Sequence, residues 1–132
     1  MPTFKYDKIV RDKIYDTIVS AGGQAVKKDL TPKQLVNALK DKLVEEAFEV
    51  QGATHPLDLT EELADVMDVI HGLSKAVGIS MEAIEDKRLS KRQERGGFEN
   101  GVYIKHATFD KDHEITKYCR DRPEKYPESS SG

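Results

Sequence analysis

Glu45, Glu46 and Glu49, followed after twelve intervening residues by Glu62 and Asp65, put five carboxylates into two short clusters. On a helix, residues three apart share a face, so Glu46 with Glu49 and Glu62 with Asp65 each project as a pair. The apolar pattern says which way the pairs face. On a wheel at about 100° per residue, Leu35, Leu39, Leu43 and Val50 form one stripe, and Glu46 falls in its middle. Leu59, Val66, Val69 and Leu73 form the next stripe, with Glu62 standing in the row. Uncompensated buried carboxylates cost several kcal/mol and repel one another, so two inward-turned pairs call for cations or protonation. Oxygen donors without histidine suit Mg²⁺, with Mn²⁺ as substitute, better than Zn²⁺ or iron. A di-iron bundle would show Glu-x-x-His on two helices instead. Because Mg²⁺ completes its shell from waters and phosphate oxygens, the implied substrate is a polyphosphate. Glu45 and Glu61 lie off the stripes and read as solvated acids with Lys neighbours.

Basic residues supply the other half of such chemistry. Lys42 stands one turn before Glu46, at an azimuth between Glu46 and Glu49, where it either contacts phosphate or neutralises the acids. Lys87, Lys91 and Arg95 recur every four residues, a cationic stripe that can meet a phosphate tail or remain solvated. Lys8, Arg11 and Lys13 form a third group, with Arg11 suited to fork-like phosphate contacts. Asp68 continues the acidic row beyond Asp65, as a surface acid or as a partner for a sugar hydroxyl, an ammonium group or a further ion. His55 and His71 read as structural or solvent-facing, and Gly96-Gly97 as a helix stop.

Four helices must position these groups. Asp7 is expected to cap a first helix over Lys8 to about Ser20, on the recurrence of Val10, Ile14 and Ile18, before Gly22-Gly23. Thr31-Pro32-Lys33-Gln34 predicts the start of a second by capping box, running to about Gln51. Asp58 with Glu61 three residues on predicts the cap of a third, ending at Gly78, and Ser80 that of a fourth, ending at Gly96-Gly97. Val102-Tyr103-Ile104 is expected as a short extended segment or strand. Beyond it the chain reads as a polar, mobile tail whose last Ser and Gly residues resemble an appended end. The expected organisation is one all-α domain over residues 1–108 and a tail over 109–132.

The clusters carry a family resemblance. Glu45-Glu46-Ala47-Phe48-Glu49 and Glu62-Leu63-Ala64-Asp65 resemble the EExxE…ExxD signature of the MazG-like all-α nucleotide pyrophosphohydrolases. Lys8 through Ile14, and Lys91 through Arg95-Gly96-Gly97-Phe98, are similar to the phosphoribosyl-ATP pyrophosphohydrolase-like branch, so the resemblance spans roughly residues 5 to 105. It implies a MazG-like four-helix core, Mg²⁺ held by Glu46, Glu49, Glu62 and Asp65, and hydrolysis between the α- and β-phosphates. It also favours Lys8, Arg11, Lys91 and Arg95 as phosphate ligands. The spare carboxylate acting as base would be Glu49 or Glu45.

Composition agrees with these expectations. With 21 Lys plus Arg against 24 Asp plus Glu, the net charge of −3 offers no global attraction to nucleic acid or membrane. The lone Cys119 cannot form an intrachain disulfide, and no run of about 18 apolar residues exists, so a cytoplasmic location is expected. Short helices with acids in their seam bury little surface alone, which predicts a homodimer or homotetramer. The expected activity is nucleoside triphosphate plus water to monophosphate and pyrophosphate, a reaction suited to nucleotide-pool house-cleaning. Its rivals are phosphoribosyl-ATP pyrophosphohydrolase of histidine synthesis and a non-catalytic helical oligomerisation or regulatory module.

Overall fold

Five helices make up the regular structure: α1 Ile14–Ser20, α2 Pro32–Gly52, α3 Pro56–Val77, α4 Met81–Arg95 and α5 Glu114–Arg120. The computed structural model describes residues 1–129; Ser130, Ser131 and Gly132, part of the expected appended end, lie outside the described residues. Among the described residues there is no strand, and the chain is all-α. It divides into two units, Met1–Glu94 and Arg95–Gly132.

In the first unit, α2 starts where its sequence says. Thr31 Oγ1 accepts from the Gln34 amide at 3.2 Å, and the Gln34 side chain accepts from the Thr31 amide at 3.0 Å, closing the capping box ahead of Pro32. The start of α3 differs from expectation. His55, not Asp58, is the N-cap, its Nδ1 accepting from the Leu57 amide at 3.2 Å, and Asp58 lies in the first turn. Pro56 explains this, because its fixed φ and missing N–H suit the first helical position. At the other end Gly78 turns at φ 74°, and the Ile79 amide reaches back to the Ser74 carbonyl at 3.0 Å. The buried Ser74 hydroxyl donates to the Ile79 carbonyl, tying the turn down. Ser80 then caps α4 through the Ala83 amide at 3.0 Å.

Helices α2 and α3 pack as an antiparallel hairpin. Glu46 stands opposite Glu62, while Leu39 comes against Gly72, so residue numbers rise along one helix as they fall along the other. Val69 is the one buried apolar residue among those described, and no large side chain is fully buried. Two helices share a single line of contact, and that line is the whole core of this unit.

The first helix is shorter than expected, with Lys13 as N-cap and residues 8–13 outside it. Asp7, the expected cap, has φ 43°, and Ile9 rather than Val10 is the half-buried residue of this stretch. The segment is held instead by Lys8 and Arg11, whose partners lie on α2 and α3. Long-range ion pairs therefore set its path where local periodicity suggests helix.

The second unit holds two further corrections. Val102-Tyr103-Ile104 forms no strand, having no partner strand among the described residues, and stays 70–87% exposed. The stretch expected as a tail contains α5, capped by His113 Nδ1 accepting from the Ile115 amide at 3.0 Å. Glu114 in its first turn and Lys117 and Arg120 in its last oppose the helix dipole favourably. Arg122 stacks 3.8 Å over Tyr118, and Arg120 pairs with Glu128 at 2.8 Å, anchoring the residues that follow.

Candidate metal centre and its basic surround

The contact line of the hairpin brings three carboxylates together. One oxygen each from Glu46, Glu62 and Asp65 lie within 4.8 Å of one another. Glu46 is buried, Glu62 and Asp65 half-buried. Three oxygens on one ion bound at about 2.1 Å stand roughly 3.0–3.6 Å from one another, so side-chain adjustments of about an ångström would let all three share a divalent cation. An all-carboxylate donor set fits a hard cation. Electrostatics agrees: Glu62 is held above the usual carboxylate range, first by burial and then by Glu49, Asp65 and Glu46. Among the described residues no ion pair reaches Glu62 or Glu49, whereas Glu46 has Lys42 beside it and Asp65 has Arg11. Glu49 is exposed and stands outside the converging trio, near enough to act on both Glu62 and Lys8 through its charge.

Around this seam lies a ring of cations. Lys42 is 3.4 Å from Glu46 Oε1 and 3.3 Å from Glu45 Oε2, with only 19% of its side chain exposed. Lys8 donates to Glu45 Oε1 at 2.7 Å. That bond, followed by the contact with Lys42, pulls the Glu45 carboxyl below its ordinary range despite partial burial, and raises the Lys8 ammonium in turn. Arg11 spreads its fork over two acids, NH2 to Asp65 Oδ1 at 2.6 Å and NH1 to Asp68 Oδ2 at 2.5 Å, which raises the guanidinium further. Arg11 thus meets carboxylates where the sequence suggests phosphate. Asp68 is exposed, and its partner is this arginine.

Lys87, Lys91 and Arg95 are exposed on α4, and no ion pair joins Lys87 or Lys91 to the acids. Glu85 holds Arg88 through both its oxygens, at 2.9 and 2.5 Å, so that part of α4 is locally neutralised. The pairing of Lys8 and Arg11 with the acidic row is not among the sequence expectations, although opposite charges on the two stretches are a signal for it. A second feature is also absent from them: Val44, Phe48, Leu63 and Met67 are apolar yet 47–68% exposed. Their positions off the core stripes are the available sign.

No helix among the described residues is long and apolar enough to cross a membrane. Nothing matches the chain among curated proteins, nor among solved structures. The profile of the family described as phosphoribosyl-ATP pyrophosphohydrolase matches residues 15–92, more than half the chain. That span holds α2 and α3 complete and every acid of the seam, but neither Lys8 nor Arg11. An acidic cluster whose donors could hold a divalent cation and a family profile laid over the same helices agree: the chain belongs to the phosphoribosyl-ATP pyrophosphohydrolase family, a branch of the MazG-like nucleotide pyrophosphohydrolases.

Proposed function

We propose that this protein is a Mg²⁺-dependent nucleoside triphosphate pyrophosphohydrolase of the cytoplasm, releasing a nucleoside monophosphate and pyrophosphate. The observation that carries it is the convergence of Glu46, Glu62 and Asp65 inside the span matched by a pyrophosphohydrolase family. These three would hold the cation, with Glu49 completing the set from the edge. A divalent ion bound there supplies Lewis-acid polarisation of phosphate and a lowered pKa for the attacking water. The chain's own groups do the rest. Glu49, exposed and unpaired, is placed to accept a proton from water, whereas Glu45 is committed to two lysines and is the weaker candidate for base. Lys42 sits low in the seam, where it offsets charge on Glu46, and Lys91 and Arg95 would meet the phosphate tail.

The unit acting this way would be a homodimer or a larger assembly, with the four-helix core completed by hairpins from two copies. What supports this is the exposed apolar set on α2 and α3 beside a core of one line. The proposed hydrolase domain, residues 1–108, includes the whole of the first compact unit. A second substrate reading, phosphoribosyl-ATP, is favoured by the family's own description. Pyrophosphate release from a panel of ribo- and deoxynucleotides and phosphoribosyl-ATP, with Mg²⁺ and with EDTA, separates the two. Hydrolysis of none of them in Mg²⁺ would sink both.

A further inference from the structure

The first thirteen residues make a non-helical arm whose long-range ion pairs are made by Lys8 and Arg11. Six acids line the hairpin here, Glu45, Glu46, Glu49, Glu62, Asp65 and Asp68, against three cations, Lys8, Arg11 and Lys42. The cations are unevenly placed. The arm pairs with Glu45, Asp65 and Asp68 on the outer edge, and makes no hydrogen bond or ion pair to Glu62 or Glu49. Asp65 belongs to both groups: it is a member of the converging trio and a partner of Arg11. We propose that the arm is an electrostatic strap, in which Arg11, supported by Lys8, pairs with the outer carboxylates of the site and would be displaced from Asp65 when a divalent cation loads.

Three observations favour displacement over a fixed structural role. Arg11 is 57% exposed and Asp68 62%, so these bonds compete with water and salt and are cheap to exchange. The arm has no helix of its own to hold it in place between Lys8 and Lys13. A guanidinium fork released from two carboxylate oxygens fits two phosphate oxygens equally well, so the same motion would turn Lys8 and Arg11 from counter-ions of the site into ligands of an incoming polyphosphate. Metal loading and substrate capture would then be coupled through one segment. The arm that would carry this coupling lies outside residues 15–92, and so outside what the family match covers.

The inference rests on the metal reading of the seam but not on the reaction. Its test is Mn²⁺ binding without nucleotide, followed by electron paramagnetic resonance at low salt on the full chain, with melting temperature read alongside. Removing one positive charge several ångströms from a doubly charged ion in a solvent-screened site should tighten binding roughly five- to tenfold, so Arg11→Ala should bind Mn²⁺ tighter by that factor. Arg11→Lys, which keeps the charge and loses the fork, should stay near the parent affinity. If Arg11→Ala does not fold, Arg11→Gln, with stem and donors retained, carries the same comparison. In parallel, the Arg11 side-chain NMR signal should move toward that of free arginine on saturation with Mg²⁺. Weaker Mn²⁺ binding in Arg11→Ala would make Arg11 a positioning residue for Asp65 and overturn the strap. So would unchanged binding, an Arg11 signal that stays in place, or a parent protein that binds no Mn²⁺. A protein that behaves as described yet releases no pyrophosphate would refute the proposed activity and leave the strap standing.

Discussion

The two flanks of the α2–α3 hairpin solve the same problem in opposite ways. On a helical wheel Asp65 and Asp68 fall to one side of the inward line through Glu62, Val66, Val69 and Leu73, while Leu63 and Met67 fall to the other. In α2, Glu45, Glu49 and Lys42 take the first flank, and Val44 takes the second with Phe48 near its back edge. An antiparallel pair turns the same sense of rotation to the same side, so the hairpin has one acidic flank and one apolar flank. The acidic flank is dressed from within the chain, because a short arm carrying two cations on long side chains can reach across a surface and neutralise it. The apolar flank has no such remedy. Removing apolar area from water takes a surface of matching size, and among the described residues of this unit none covers Val44, Phe48, Leu63 and Met67.

The sharpest break in that comparison comes from the seam between the flanks. Glu46→Gln should lower pyrophosphate release by at least about 100-fold, ~2.7 kcal/mol of transition-state stabilisation, while the metal-free protein melts no lower than the parent. Near-normal turnover in that variant would remove Glu46 from the ligand set. On the apolar flank, the double substitution Phe48→Glu with Met67→Glu should convert the proposed assembly to monomers by light scattering and lower the melting temperature by several degrees, since charge on a patch covered in that assembly would be costly to desolvate. An unchanged mass would mean that oligomers form elsewhere or not at all.

Smaller effects sharpen the picture. Arg95→Ala should cost about tenfold in kcat/KM, ~1.4 kcal/mol, with little change in melting temperature, and Arg95→Lys should recover part of it. Intact kinetics with lower stability would make Arg95 a helix-end residue instead. Glu62 gives the mildest signature. Its folded pKa is raised above the usual 4.5, so the protonated form is favoured in the folded chain. Its contribution is therefore best below 4.5 and turns unfavourable as pH rises through the raised value. Glu62→Gln should raise the metal-free melting temperature at neutral pH and flatten its decline above pH 4.5, and it should shrink the gain on adding Mg²⁺. A parent protein whose metal affinity falls on acidification only where ordinary glutamates titrate would contradict the raised value.

Much of the hairpin is legible in the order of its residues. The capping box at Thr31, the glycine stop at Gly78 and the Ser80 cap are interactions within four or five residues, and each stands where its residue types require. The inward turn of Glu46 and Glu62 follows from the same short-range periodicity, and burial agrees, with Glu46 at 7% exposure. Helix α5 is not legible in this way, because seven mostly charged and polar residues carry little periodic signal. What holds it is contacts such as Arg122 on Tyr118 and Arg120 with Glu128, which periodicity does not report.

By itself, then, the amino-acid sequence determined that α2, α3 and α4 form, though not where α3 starts, and which acids look inward, because side chains three or four apart on a helix are neighbours whatever the rest of the chain does. Only the tertiary structure decided where the arm's charges go. Lys8 finds Glu45 across 37 residues, and Arg11 finds Asp65 and Asp68 across 54 and 57. Any of several basic groups satisfied the composition equally well, and the choice among them was made by where the chain returns on itself. The same holds for the apolar flank: a stripe of Val44, Phe48, Leu63 and Met67 is core or surface depending on what packs against it, and that is a property of the fold rather than of the stripe.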